Sequence, residues 1–174
     1  MNLKQHLLSR HLNLELHNPA LDEDNNVATF YLWNLSGQMV GYQQYRPDAT
    51  KKKQNDPREG KYFTFRKSPT VAVWGVESLN LNTEVLFLTE GVFDAARFTN
   101  RGYAAVAALS NDPNGDVRNW LAMQGRRVVA VCDSDSAGTK LAKFGSSTFV
   151  VPSGDMGDAP EELVTFVLQK FGSL

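Results

Sequence analysis

Two short apolar runs in this chain stop abruptly in carboxylates and a glycine. Leu86-Phe87-Leu88-Thr89 leads into Glu90-Gly91, and Val131-Cys132 leads into Asp133-Ser134-Asp135-Ser136-Ala137-Gly138. Runs of this kind read as buried strands, which places the acids at strand carboxyl ends. In open parallel α/β sheets that edge is where ligands bind. Glu90, Asp133 and Asp135 then converge on one edge with no obvious cation beside them in sequence. Clustered carboxylates repel one another unless a hard cation sits between them, and Mg²⁺ is the expected one, with Mn²⁺ a substitute. Asp94 lies four residues beyond Glu90, on the first turn of the following helix, and can face the same crevice. Each motif alone has a plainer reading. Glu90 can be a solvated loop acid, Asp94 a complement to the helix dipole, and Asp133-x-Asp135 a turn leading to an N-cap at Ser134 or Ser136. Their recurrence at the ends of two similar units favours a shared site.

The elements that would position these acids form a strand–helix rhythm in the second half of the chain. Strands are expected at 85–89, 103–109, 127–132 and 148–151. Helices are expected at 92–100, 114–123, 136–144 and 160–171. The last helix would bury a stripe of Leu163, Phe166, Val167 and Phe171. Strands alternating with helices of this length imply a parallel sheet with right-handed crossovers. The first half reads differently. Residues 3–12 carry a weak helical stripe, 27–34 and 39–45 read as a hairpin around Ser36-Gly37, 46–60 as a polar loop, and 61–66 as another strand. The expectation is an α/β chain: a small parallel sheet flanked by helices at 84–174, preceded by a small β-rich lobe at 1–83.

Composition narrows the class. The chain has 174 residues, 42% of them apolar, and a net charge of −1. That charge makes contact with nucleic acid a matter of a local basic patch. The one cysteine, Cys132, excludes an intrachain disulfide or a multi-cysteine zinc site, and its strand position suggests a buried apolar role. No apolar run approaches the ~18 residues of a membrane span. The first residues lack the apolar core of a signal peptide, so a cytoplasmic protein without membrane contact is expected. His6, His11 and His17 have no metal-site spacing, and Trp33, Trp74 and Trp120 read as packing residues.

Glu90-Gly91 after one strand, and Asp133-x-Asp135-x-Ala137-Gly138 after a later one, resemble the Toprim domain over roughly 84–171. Within that family the likeness is greatest to bacterial and phage-type DNA primases. Leu88-Thr89-Glu90-Gly91-Val92-Phe93-Asp94-Ala95 resembles a primase motif, as does the apolar run 103–109 that follows. The likeness extends upstream to Gly37–Arg46, to Lys61-Tyr62, and to the stretch from Ser68-Pro69 to Trp74-Gly75-Val76-Glu77, which is similar to the linker into the Toprim domain. With one cysteine the sequence is not expected to build the zinc ribbon of those primases, and no helicase domain is expected within it.

The resemblance implies Mg²⁺-dependent nucleotidyl transfer, making short RNA primers on a single-stranded DNA template. Glu90, Asp133 and Asp135 would hold metal, and Asp94 would orient the site. In the run Gly154–Glu162, Asp158 and, more weakly, Glu161 would add second-metal ligands. Arg46 and Lys61 would contact phosphate or template, and Lys51, Lys52 and Lys53 would grip the nucleic-acid backbone. A helicase or a separate zinc-ribbon protein would be a partner. Two alternatives use the same features: a Toprim nuclease with the same carboxylates, and a non-catalytic module binding nucleic acid or a helicase.

Overall fold

The computed structural model describes residues 1–67, 71–135 and 137–172. Ser68 and Pro69, in the linker-like stretch, and Ser136, one of the two cap candidates, lie outside them. The chain opens with helices α1 (Leu3–Ser9) and α2 (Leu14–His17), then forms an antiparallel sheet of β1 (Ala20–Asp22), β2 (Val27–Trp33), β3 (Met39–Tyr45) and β4 (Tyr62–Arg66), in the order β1-β2-β3-β4. A parallel sheet follows, from β5 (Val85–Thr89), β6 (Ala104–Ala107), β7 (Arg127–Cys132) and β8 (Ser147–Val150), in the order β6-β5-β7-β8. Helices α3 (Val92–Thr99), α4 (Asp116–Met123) and α5 (Glu161–Val167) flank it. The α/β architecture expected from the sequence is the one observed.

Side chains alternate across the parallel sheet, and each face has its own core. Leu86, Leu88, Val106, Ala130 and Cys132 pack beneath Val117 and Leu121 of α4. Phe87, Ala105, Val129 and Val131 face the other way, against α3 and α5. That second cluster continues into the N-terminal half, taking in Leu3, Leu7, Phe30, Leu32 and Tyr45. Phe93 is the key between them. It stands 5.8 Å from Phe30 and 4.8 Å from Tyr45, edge to face in both cases, a favourable aromatic geometry. The backbone also joins the sheets, since Trp33 bridges to Val73 and Trp74 to Ala107. The antiparallel sheet therefore reaches the strand ends of the parallel one through a shared core.

Three expectations need correcting. The expected helix at 136–144 is a 3₁₀ turn, Gly138–Phe144, because its buried residues, Gly138, Leu141 and Phe144, recur every third position. The last helix runs into a π turn, Leu168–Gly172, and buries Val164, Val167, Leu168 and Phe171, leaving Phe166 half exposed. Strand β6 is shorter than 103–109. Among the described residues no helix is long and apolar enough to cross a membrane.

Candidate active-site cleft

Strand β5 is buried along its whole length and delivers Glu90 at its carboxyl end. Gly91 then turns the chain into α3. A Cβ on Gly91 would stand 2.8 Å from an oxygen of Asp94, so only glycine allows the contact that follows. The Gly91 N–H donates to Asp94 Oδ2 at 3.1 Å, and the Gly157 N–H donates to Asp94 Oδ1 at 2.7 Å. Strand β7 delivers Asp133 beside Glu90. Gly138 packs against Asp133, leaving only 2.8 Å between a notional Cβ and its carbonyl oxygen. Asp135, one turn further on, accepts a short hydrogen bond from the Gly138 N–H.

A third loop, after β8, closes the cleft. The Ser134 N–H donates to the Gly154 carbonyl at 3.0 Å, and the Gly154 N–H donates to Ser134 Oγ at 2.9 Å, so Ser134 ties the two acidic loops together and caps no helix. Arg97, buried on α3, fixes the rest of that loop: its Nη1 donates to the carbonyls of Gly157 and Ala159 at 3.1 and 2.7 Å, and its Nη2 to Glu161 at 2.8 Å. The resulting cleft is lined by Glu90, Asp94, Asp133 and Asp155, by the backbone around Gly91 and Gly157, and by Arg10, Gln43, Lys51 and Tyr62 from the N-terminal half.

The acids stand in a strongly negative field. Burial, with the charges of Asp155 and Asp133, pushes Asp94 up to about 7 against the hold of its two N–H donors. Burial and the charges of Glu90, Asp155 and Asp135 push Asp133 up to about 6. Glu90 is also raised, by burial first and then by Asp135, while its hydrogen bond with Asp133 pulls it down. Burial and mutual charge thus raise both members of the Glu90–Asp133 pair, the behaviour of two carboxylates too close to ionise easily together. Among the described residues, no three histidine, cysteine or acidic side chains could enclose a metal by themselves. Mg²⁺ needs fewer, since it commonly takes one or two carboxylates together with waters and substrate phosphates. The Glu90–Asp133 pair fits that requirement.

The structure brings Glu90, Asp94, Asp133 and Lys51 to one cleft and distributes the other expected residues around it. Asp135 is exposed, outside the cleft lining, and acts on Glu90 and Asp133 through its charge. Asp158 also lies outside it, largely exposed and paired with Arg10 at 3.2 Å. Glu161 is occupied by Arg97 and Arg101. The acid of this loop that lines the cleft is Asp155. It follows β8 as Glu90 follows β5 and Asp133 follows β7, and that analogy was available in the sequence. Lys52, Lys53 and Lys61 line an adjoining hollow, which shares Lys51 and Tyr62 with the cleft. Lys61 Nζ donates to the Pro47 carbonyl at 3.1 Å. Arg46 donates to Gln44 through Nη2, while its Nη1 is buried with no hydrogen-bond partner. Arg10 had no signal in the sequence, because only the packing of α1 brings it to the cleft. His17 is a structural residue, buried on Trp74 and hydrogen-bonded to Glu77 and Thr99.

This fold is that of the DnaG-type primase catalytic cores. A DnaG catalytic core superposes with a TM-score of 0.62 at 16% identity, covering 97% of this chain and 68% of its own. The primase fragment of the bacteriophage T7 primase-helicase protein gives 0.61 at 12%, covering 91% and 68%. A DnaG primase catalytic domain bound to single-stranded DNA gives 0.57 at 16%, covering 92% and 56%. No family model matches the sequence, and no curated protein matches it.

Proposed function

We propose that this chain is the catalytic core of a primase-type nucleotidyltransferase that makes short RNA on single-stranded DNA. The observation that carries the reading is the Glu90–Asp133 pair, two mutually repelling carboxyls at the ends of adjacent parallel strands, in a cleft continuous with a lysine-lined hollow. The fold shared with primase cores supports the same reading. Glu90 and Asp133 would hold Mg²⁺ or Mn²⁺, and Asp155 and Asp135 would add to the field that favours a cation there. A bound divalent ion supplies neutralisation of phosphate charge and polarisation of the attacking hydroxyl. Asp94 shapes the site by anchoring the Gly91 and Gly157 N–H groups. Lys51, Lys52, Lys53 and Lys61 offer a track for the template backbone.

The test is incubation of the protein with single-stranded DNA, labelled ribonucleotides and Mg²⁺ or Mn²⁺, beside Glu90→Gln and Asp133→Asn. Short labelled RNA made by the parent alone supports the proposal. Metal-dependent loss of the DNA without synthesis would replace it with the nuclease reading. Neither activity, with DNA binding retained in all three proteins, would replace it with the binding-module reading.

A further inference from the structure

We infer that the free edge of β4 is a self-association surface, on which a second copy of this chain pairs its own β4 antiparallel across a two-fold axis at Thr64. β4 (Tyr62–Arg66) ends the antiparallel sheet and pairs with β3 on one side only. The Arg46 N–H donates to the Lys61 carbonyl, and the Lys67 N–H donates to the Val40 carbonyl. Bonded pairs alternate along an antiparallel ladder, so Phe63 and Phe65 also direct their backbone groups to β3. Those of Tyr62, Thr64 and Arg66 point the other way, to an edge that no strand covers among the described residues. All three of these residues are exposed. Natural edges are blunted by a charge, a proline or a bulge. Residues 62–65 carry neither charge nor proline, and their register with β3 is unbroken.

What singles out a second copy as the occupant is the self-complementarity of the strand. Centred on Thr64, the pairing engages the whole of Tyr62–Arg66, whereas the next register in either direction pairs only Tyr62–Thr64 or Thr64–Arg66. It sets Thr64 opposite Thr64, and Tyr62 opposite Arg66 of the second copy, both at bonded positions. A guanidinium against a tyrosine ring is attractive. Phe63 falls opposite Phe65 of the second copy, at the closer, non-bonded position, where cross-strand aromatic pairs are favoured. Phe65 is 51% exposed and walls an apolar hollow with Tyr31, Met39 and Tyr42, so its new mate extends that apolar surface. The one mismatch falls at the two ends, where Lys61 meets Lys67 of the second copy. A single short strand pair is smaller than the roughly 1,200 Å² of a stable interface, so the dimer is a weak one. Tyr62 lines the acidic cleft, and dimerisation therefore places Arg66 of the second copy at its mouth.

The experiment is sedimentation velocity on the full chain between about 1 and 200 µM, a range that brackets the affinity of a weak interface. The mass should rise with concentration toward that of a dimer, and more readily at higher salt, which screens Lys61 from Lys67. Thr64→Pro removes an N–H from the free edge and none from the β3 ladder, so it should keep the fold and hold the protein monomeric. Two cysteine variants test the register. Across a bonded pair the Cα atoms stand about 5.5 Å apart, within disulfide reach. Oxidised Thr64→Cys should therefore run as a covalent dimer. Arg66→Cys should not, because its two copies stand about 13 Å apart along the strands. Cys132 is buried, so the parent serves as the blank. A parent that stays monomeric throughout, or that dimerises no better than Thr64→Pro, overturns the inference. Equal cross-linking of the two cysteine variants, the mark of random collision, also overturns it. Should Thr64→Pro fail to fold, the cysteine pair decides the matter alone.

Discussion

Replacing Asp94 with asparagine should destabilise the metal-free protein in mild acid and stabilise it in mild base. Asp94 is 8% exposed and accepts two backbone N–H groups, yet burial and the charges of Asp155 and Asp133 raise it from 3.8 to about 7. A carboxyl whose folded pKa lies above its unfolded one is bound more tightly as the protonated form. Its contribution is complete below the unfolded pKa and is lost as pH rises through the folded one, so the window runs from about 4 to about 7. A shift of roughly three units corresponds to at most about 4 kcal/mol across that window. Asparagine stays neutral throughout and escapes this loss. Its amide NH₂, however, must face one of the two N–H donors, which costs about 1–3 kcal/mol at any pH. Asp94→Asn should therefore be less stable than the parent by about 1–3 kcal/mol near pH 4.5, and more stable by a similar margin near pH 8. Urea denaturation in a chelator across that range measures the difference. A difference that stays constant with pH, or moves the opposite way, would refute the reasoning.

Two further outcomes follow from the same geometry. Arg97→Met removes the donor shared by the Gly157 and Ala159 carbonyls and leaves those acceptors buried, so it should cost about 3 kcal/mol or more in chemical denaturation. It should also weaken divalent-cation binding, because the loop carrying Asp155 loses its anchor. Changing Lys51, Lys52 and Lys53 together to glutamine should lower the salt dependence of single-stranded DNA binding by about 0.7 in logarithmic slope for each phosphate the lysines neutralise, up to about 2 in all. An unchanged slope between low and moderate salt would remove the lysine hollow from the template path.

The features legible in the sequence are those set by local pattern. The bounds of β7 and β3 follow directly from an apolar run and from a hairpin signal ended by Arg46-Pro47. Glu90, Asp94 and Asp133 were legible because a strand end, a glycine turn and a first helical turn are all local events. What escaped is tertiary. The tighter turn over 138–144 goes with burial of Gly138, Leu141 and Phe144 at every third position, with Gly138 seated against Asp133, a burial pattern set by the tertiary packing. Asp155 and Asp158 share one loop, and packing separates them: Asp158 pairs with Arg10, almost 150 positions upstream, while Asp155 lines the cleft. His17 looked inert because Glu77 and Thr99, its partners, are far away in sequence.

The same distance in sequence explains how the cleft is built. Its acids come from three parallel strand ends, and repulsion among them works against the folded state. Its cations come from the first ten residues and from the loop between β3 and β4, which a bare parallel sheet would not supply. The two sets meet because Phe93, one residue before Asp94, is inserted between Phe30 and Tyr45 of the antiparallel sheet. Burying an aromatic side chain contributes about 1.5–3 kcal/mol, and here that burial also fixes the position of the acidic loop after β5 relative to the cationic wall. Charge complementarity between the halves is thus imposed by an apolar contact. The acids are left with uncompensated negative charge on one wall of the cleft, and the cations of the N-terminal half stand on the other.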